Sequence, residues 1–201
     1  MRRTTFALLL AFAAGCSQLD SPDARARKAV AAAAADGFAL PVDGTTLEVP
    51  PGKLVATSVT TAPLGEGRLR TFGRVSLEGR LDGLPVSYVG DERFVVRCAA
   101  RCELEGSPAP RLVALLAVLD ARRAALAAGD RQKLIELAVP DARPQLARAD
   151  LRAAAERPTA GWFIRIDRDE ALVGEATRGG GQRQLILRGE GAGWRLVSGL
   201  P

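Results

Sequence analysis

The sequence predicts an α+β protein: an N-terminal antiparallel β-meander, a helical segment and a C-terminal antiparallel β-meander. Three observations support this prediction. Residues 45–98 alternate apolar and polar side chains between turn dipeptides, which is typical of strands. Leucines recur at helical spacing from residue 111, and alternation returns from residue 162. Because helices and strands are segregated along the chain, the pattern favours α+β over alternating α/β.

A helix is predicted over residues 23–36. Ser21 is a suitable N-cap, Pro22 suits the first helical position, and Gly37 is a typical C-terminal signal. The alanine run at 31–35 has high helix propensity but little apolar bulk to bury. We therefore expect a spacer that lifts the domain from its attachment point, with loose packing on the domain as the alternative.

The first meander contains four or five strands. The turn dipeptide Asp82-Gly83 predicts a hairpin, and Gly90-Asp91 is expected to separate the last two strands. The predicted strands are Thr46–Val49, Lys53–Thr61, Leu69–Leu77, Leu84–Val89 and Arg93–Arg97.

The second half begins with helices. A helix is predicted over Arg111–Ala128 and ends at Gly129; Asp130 caps a second helix reaching Val139. Pro144 opens a third helix, or two short ones, reaching about Glu156. The strands that follow are Trp162–Ile166, Leu172–Thr177, Gln184–Arg188 and Trp194–Ser198. Trp162 and Trp194 are expected to fill the space between sheet and helices.

Composition narrows the function classes. The 201 residues include 28 Lys and Arg, 23 Asp and Glu, and no His. The basic excess is dispersed among carboxylates, which argues against a nucleic-acid partner. The absence of histidine excludes Ser-His-Asp and Cys-His nucleophiles and His-ligated metals. We expect no cofactor, no metal and no catalytic residues.

Two of the three cysteines, Cys98 and Cys102, form the pattern C-A-A-R-C. Two thiols in an oxidising compartment are expected to pair, so a structural disulfide is predicted. A redox role is the alternative, but redox motifs have C-x-x-C spacing in a thioredoxin-like βαβ context. Two sulfurs without histidine do not complete a zinc site.

The N-terminus has the pattern of an export signal. Arg2 and Arg3 precede the apolar stretch Phe6–Ala14, which is too short to span a membrane. Ala13-Ala14-Gly15-Cys16 resembles the lipobox of bacterial lipoproteins. The resemblance implies cleavage after residue 15, lipid on Cys16 and attachment to a membrane of the cell envelope.

Ser17 resembles an outer-membrane sorting signal, so we expect an outer-membrane location facing the periplasm. An ordinary signal peptide with a soluble product is the alternative, although it leaves Cys16 unpaired in an oxidising compartment.

These boundaries divide the chain into four predicted parts. Residues 1–15 form the signal peptide, and residues 16–37 the lipidated tether with its alanine-rich helix. Residues 38–107 form a β-rich domain and residues 108–201 an α+β domain. The third boundary, between residues 107 and 108, lies in a segment rich in proline and glycine, Glu105–Pro110.

Two segments of the second half look like parts of nuclear transport factor 2-like (SnoaL-like) domains. Leu112–Pro140 is similar to their long opening helix, the Gly-Asp turn and the short apolar helix that follows. Gly193–Leu200 resembles their final strand. The resemblance implies a cystatin-like cone, in which a curved sheet wraps helices around a central pocket.

Under this resemblance, Trp162, Trp194 and Asp120 are the candidate pocket residues. Some family members use an aspartate as acid or base, and Asp120 would take that place. Because Arg122 and Arg123 lie beside Asp120, a solvated ion pair is the competing interpretation.

Three functions follow from this sequence. The first is a non-catalytic envelope lipoprotein that binds or scaffolds a protein partner. The second is a periplasmic carrier of a small apolar ligand, and the third is a small acid/base enzyme of nuclear transport factor 2-like type.

Overall fold

A computed structural model describes residues 21–191 and 193–199. The predicted signal peptide, Cys16 and Ser17 lie outside these residues. The helices are α1 (Pro22–Ala35), α2 (Pro110–Ala128), α3 (Arg131–Glu136), α4 (Arg143–Arg148) and α5 (Leu151–Ala155). The strands are β1 (Phe38–Val42), β2 (Thr45–Val49), β3 (Leu54–Gly65), β4 (Arg68–Leu81), β5 (Leu84–Cys98), β6 (Cys102–Glu105), β7 (Thr159–Asp167), β8 (Glu170–Thr177), β9 (Gln182–Glu190) and β10 (Gly193–Ser198).

The ten described strands form one mixed sheet, which confirms the α+β class. The long strands β4 and β5 pair antiparallel over their full length at its centre. On its other edge, β4 pairs with β3 and, at its end, with β2. Strands β7 to β10 form the predicted C-terminal antiparallel meander.

A parallel pair between β5 and β7 joins the two halves of the chain. Its register runs from Val86 opposite Trp162 to Gly90 opposite Ile166. The boundary predicted at residues 107/108 falls in the connection between β6 and α2, and the sheet continues across it. A parallel pair needs a long crossover, which α2 to α5 supply.

The helices lie on one face of the sheet. Strand side chains alternate between faces, and those facing the helices form a single buried core with residues of α1, α2 and α3. Trp162 and Trp194 belong to this core, as the sequence predicts. The buried strand residues on this face include Val75, Leu77, Leu81, Val86, Phe94, Val96, Ile164, Ile166, Val173, Leu185 and Leu187.

Helix α1 packs on the sheet, so the expectation that it is a spacer is wrong. Its buried face consists of Ala26, Ala29, Val30 and Ala34, and it contacts β3 and β6. Small side chains let the helix backbone approach the sheet closely, and close approach replaces bulk as the source of dispersion contacts. The alternative of packing on the domain is the one observed.

Strand β5 continues through Gly90, where the sequence predicts a break. Gly90 is buried, and a Cβ there would collide with the Tyr88 side chain of β5 itself and would lie 2.9 Å from the Cβ of Ile166 on the parallel neighbour β7. The glycine therefore permits close packing of strands rather than a turn. Strands β1 and β6 were not predicted, and the third helical segment consists of two short helices, α4 and α5.

Cys98 and Cys102 are bonded, with an S–S distance of 2.02 Å. The disulfide joins the end of β5 to the start of β6, where these two residues also pair in register. Within the described residues, no helix combines the length and apolar character needed to cross a membrane.

Candidate binding groove on the open sheet face

The sheet face opposite the helices carries large apolar side chains in contact with solvent. Phe163 on β7 is 61% exposed, Val55 on β3 is 52% exposed and Leu172 on β8 is 38% exposed. Their chain neighbours on the helix-bearing face are buried, among them Leu54, Trp162 and Val173. This uncovered surface is called the outer face below.

Strand register arranges one row of outer-face side chains across β5, β7, β8 and β9. Val89 on β5 pairs with Arg165 on β7, and Arg165 pairs with Leu172 on β8. Leu172 pairs in turn with Ile186 on β9. Phe163 stands two residues from Arg165, on the same face. Adjacent cross-strand side chains are in contact range, so they form a continuous, mainly apolar surface.

A groove of about 730 Å³ follows this row. Phe163 pairs with Ser87 on one side and Gly174 on the other, and these two small residues leave space around its ring. A Cβ at position 174 would lie 2.8 Å from the Nε2 of Gln182. Gly174 therefore lets the Gln182 amide lie against the sheet. The wall and floor of this outer groove include Ser76, Ser87, Val89, Phe163, Arg165, Leu172, Gly174, Gln182 and Gln184.

Two arginines line the outer groove, Arg165 and Arg183, and the guanidinium of Arg183 is bound to Glu175 and the Ala154 carbonyl. Arg165 is exposed, and within residues 21–191 and 193–199 it has no ion-pair partner. Elsewhere on this face, Arg74 pairs with Asp91 at 3.3 Å and Lys53 pairs with Glu78 at 2.6 Å. The groove can therefore bind an apolar surface that carries a negative charge near Arg165.

The helix-bearing face contains a buried ion pair that the sequence does not reveal. Arg122 on α2 donates from Nη1 to both carboxylate oxygens of Glu175 on β8, at 3.1 and 3.0 Å, and both side chains are 1% exposed. Thr159 Oγ1 and Arg183 Nη1 also donate to Glu175, at 2.7 and 3.2 Å. Burial by itself raises the pKa of Glu175, but Arg122 and these hydrogen bonds outweigh it and hold that pKa below the ordinary value.

A second buried carboxyl connects β5 to the first turn of α2. Tyr88 Oη donates to Glu92 at 2.7 Å, and the backbone N–H groups of Arg111 and Leu112 donate at 3.1 and 3.0 Å. The N-cap residue, Ala109, has no side-chain cap of its own, so Glu92 satisfies N–H groups of the first turn. Burial raises the pKa of Glu92, and the hydrogen bonds from Tyr88, Arg111 and Leu112 oppose that rise.

The three candidate pocket residues lie on the helix-bearing side. Trp194 Nε1 donates to the Arg111 carbonyl at 3.2 Å. Asp120 is nine residues further along α2, ~13 Å along the helix axis, and pairs with Arg123 at 2.7 Å. This is the ion pair anticipated as the alternative to an acid/base role. Trp162 is buried beneath the sheet, while its neighbour Phe163 faces the outer groove.

Sequence reasoning missed Glu175, Glu92 and the exposure of Phe163. The sequence does contain a signal for Glu175. Glu175 follows Ala171 and Val173 at every second position of β8, which places all three on the buried face. A carboxylate at such a position needs a buried partner. The exposure of Phe163 depends on which face the helices cover, and alternation alone does not specify that face.

Fold and groove together define an α+β protein whose mixed sheet has one helix-covered face and one open face with an apolar groove. In the part of the chain that the structure describes, no group of three or more His, Cys, Asp or Glu side chains is placed to hold a metal ion. Compared with known proteins, the chain matches no family model, no curated protein and no solved structure.

Proposed function

We propose that the protein is a non-catalytic binding module of the bacterial cell envelope, anchored by lipid on Cys16. In this proposal it faces the periplasm from the outer membrane and binds a protein partner through its outer face. The observation that supports it most is the outer groove, in which Val89, Phe163, Leu172 and Ile186 place apolar side chains on four adjacent strands around Arg165. Contiguous apolar surface of this kind marks interaction sites.

The anchor is supported by the sequence around residues 2–16. Acyl chains stabilise attachment by about 0.8 kcal/mol per buried methylene, and two chains give stable anchoring. From Cys16 to Ser21 the chain spans at most ~18 Å when fully extended. The lipidated residue would therefore lie close to the start of α1.

With lipid on Cys16, the start of α1 would determine which end of the sheet faces the membrane. Asp23 accepts a hydrogen bond from Thr61 on β3 at 2.7 Å, near the turn that joins β3 to β4. Thr61 pairs with Thr71 on β4, and the other end of β4, at Leu81, is ten residues further on, or ~33 Å along the strand. A short tether would thus hold the β3–β4 turn at the membrane and leave much of the outer face accessible.

A protein partner suits the shape and chemistry of the outer groove. Phe163 projects from a floor of small residues, which is the setting of an aromatic anchor at an interface. Arg165 would pair with a carboxylate of the partner, and the side-chain amides of Gln182 and Gln184 offer further hydrogen bonds.

Membrane attachment is tested by intact mass and fractionation. We expect the native protein to begin at Cys16 with an added lipid mass, and the variant Cys16→Ser to leave the membrane fraction. A native protein that retains residues 1–15, or that carries a free thiol at Cys16, would overturn the anchor.

Binding at the outer face is tested by a photo-crosslinking amino acid placed at Phe163 or Leu172 in the native envelope. The matched control position is Ala124, which is exposed on α2. We expect discrete protein adducts from the two groove positions and none of the same mass from Ala124. Identical adducts from all three positions, or none at the groove, would exclude a specific protein site there.

A carrier of a small apolar ligand is the second candidate. The outer groove has about 730 Å³, within the range of small-molecule sites. Native mass spectrometry of protein released from membranes distinguishes the two functions. A bound compound lost in the variant Phe163→Ser would support the carrier; ligand-free protein that still forms adducts would favour the binding module.

A further inference from the structure

A second pocket, of about 270 Å³, lies on the helix-bearing side. It is enclosed by the C-terminal end of α2, the end of α5 and the adjoining ends of β7, β8 and β9. Four arginines line it, against a single acidic residue, Asp82: Arg123, Arg157, Arg178 and Arg183. This space is called the arginine pocket below.

The backbone brings two of these arginines together. The Arg178 N–H donates to the carbonyl of Pro158 at 2.9 Å, which places residue 178 beside Arg157. Within the described residues, neither of these two guanidinium groups has an ion-pair partner. Both side chains line the same pocket, so an anion bound there would be attracted by two positive charges.

The other two arginines are already held in place. Arg123 pairs with Asp120 and Asp82, at 2.7 and 3.1 Å. Arg183 donates to Glu175 at 3.2 Å and to the Ala154 carbonyl at 2.9 Å. Arg123 adds no net positive charge because two carboxylates face it, and Arg183 shares Glu175 with Arg122. The cations available to a ligand are therefore Arg157 and Arg178.

The buried ion pair adjoins the floor of the arginine pocket. Thr159 and Arg183 line the pocket, and both donate to Glu175, which also binds Arg122. The three carboxylates Glu175, Asp82 and Asp120 together balance the three arginines that they pair with, Arg122, Arg123 and Arg183. The charge left over is positive and is concentrated on the exposed side of the pocket.

The remaining wall is apolar. It consists of aliphatic side chains from α2, α5 and the β4–β5 hairpin: Leu84, Leu126, Ala127, Ala154, Ala155 and Pro158. A ligand that only carried charge would leave this wall solvated. The volume is below the usual 300–1,000 Å³ of larger small-molecule sites, which favours a short molecule.

We propose that the arginine pocket binds a small free anion with a short aliphatic body, a phosphate monoester or carboxylate. Its anionic group lies between Arg157 and Arg178, and its alkyl part lies against Leu126 and Ala127. This site is independent of the lipid anchor and of the outer groove. A two-chain phospholipid is too large for the volume available.

The test is calorimetric titration of the protein, from residue 17 to residue 201, with hexyl phosphate. We expect saturable binding that weakens at least tenfold in the double variant Arg157→Ala/Arg178→Ala. The matched control is Arg148→Ala/Arg152→Ala, which removes two exposed charges outside the pocket and is expected to bind as the unmodified protein does. Circular dichroism confirms that both variants are folded.

Three comparison ligands test the chemistry. Inorganic phosphate and hexanol are each expected to bind at least tenfold more weakly than hexyl phosphate. Inorganic phosphate lacks the alkyl chain, and hexanol lacks the anionic group. Vesicles containing phosphatidic acid are expected not to compete. Equal loss of binding in both double variants, equal affinity for inorganic phosphate and hexyl phosphate, or competition by the vesicles would overturn the proposal.

Discussion

At the scale of single residues, two buried carboxyl groups, Glu92 on β5 and Glu175 on β8, hold polar groups of the helix-bearing face in place. Glu175 neutralises a buried guanidinium, and Glu92 satisfies the first turn of α2. Each would be costly alone, because a buried charge without a partner is strongly destabilising. Each therefore makes its contribution only together with its neighbours.

Replacing Glu175 with Gln is expected to destabilise the protein by about 3 kcal/mol or more, because Arg122 would remain buried without its counter-charge. The measurement is the free energy of unfolding in urea. Glu170→Gln, an exposed change on the same strand, is the control and should stay within about 0.5 kcal/mol of the unmodified protein. Equal effects of the two changes would show that the buried pair is not a stabilising contact.

The two carboxyls are expected to give opposite pH dependence. The pKa of Glu175 is lowered on folding, so its stabilising contribution is present above the unfolded value of about 4.3 and is lost as pH falls through the folded value. The pKa of Glu92 is raised, so its contribution declines as pH rises from about 4.3 through the folded value.

Urea unfolding between pH 3 and pH 7 checks this prediction. The difference in unfolding free energy between the unmodified protein and Glu175→Gln should be smallest at low pH. The corresponding difference for Glu92→Gln should be largest at low pH. Parallel curves for the two variants would contradict the assignment.

At the scale of secondary structure, local sequence predicts most elements but not what they contact. The N-cap at Ser21 and the stop at Gly37 are sufficient to predict α1, yet only the tertiary structure reveals that its alanines are buried. The long strand β4 is predictable from the alternation of apolar and polar side chains along it. The continuity of β5 through Gly90 is not, because it depends on the approach of Ile166 from a strand 76 positions later in the chain.

Charge on the two sides of α1 is expected to have unequal effects. Ala29 is buried against the sheet and Ala31 is exposed. Ala29→Glu should lower the free energy of unfolding by about 2–4 kcal/mol, because it buries an unpaired carboxylate, while Ala31→Glu should change it little. Equal tolerance of both changes would restore the spacer interpretation.

The hairpin of β5 and β6 contains the disulfide, whose small loop is expected to stabilise the fold by about 2 kcal/mol through restriction of the unfolded chain. The double variant Cys98→Ser/Cys102→Ser should lose this amount in guanidinium unfolding. A maleimide reagent should label neither cysteine in the oxidised protein without reductant. Labelling at either position would contradict a closed disulfide.

At the scale of the whole molecule, one sheet and one core extend over both halves of the chain. The candidate outer groove draws residues from both sides of the β5–β7 pair, such as Ser87 and Phe163. The sequence predicted both meanders, but no local pattern specifies that one strand of each will pair in parallel. For this reason the outer groove was not predictable, although each of its strands was.

The single sheet predicts cooperative unfolding of residues 38–107 with residues 108–201. Hydrogen exchange in increasing urea should give the same limiting free energy for amides in β4 and in β8. A lower plateau for one half, reached while the other remains protected, would instead support two independently folding domains.

The parallel pair also affects how the protein is made. About 60 residues separate the end of β5 from the start of β7, so at ~5–20 residues per second the ribosome takes about 3–12 seconds to deliver the missing partner. Throughout that interval one edge of a long strand is open to other chains. Cellular factors that shield nascent polypeptides, or export that delays folding, would therefore matter more for this protein than for one built only from hairpins.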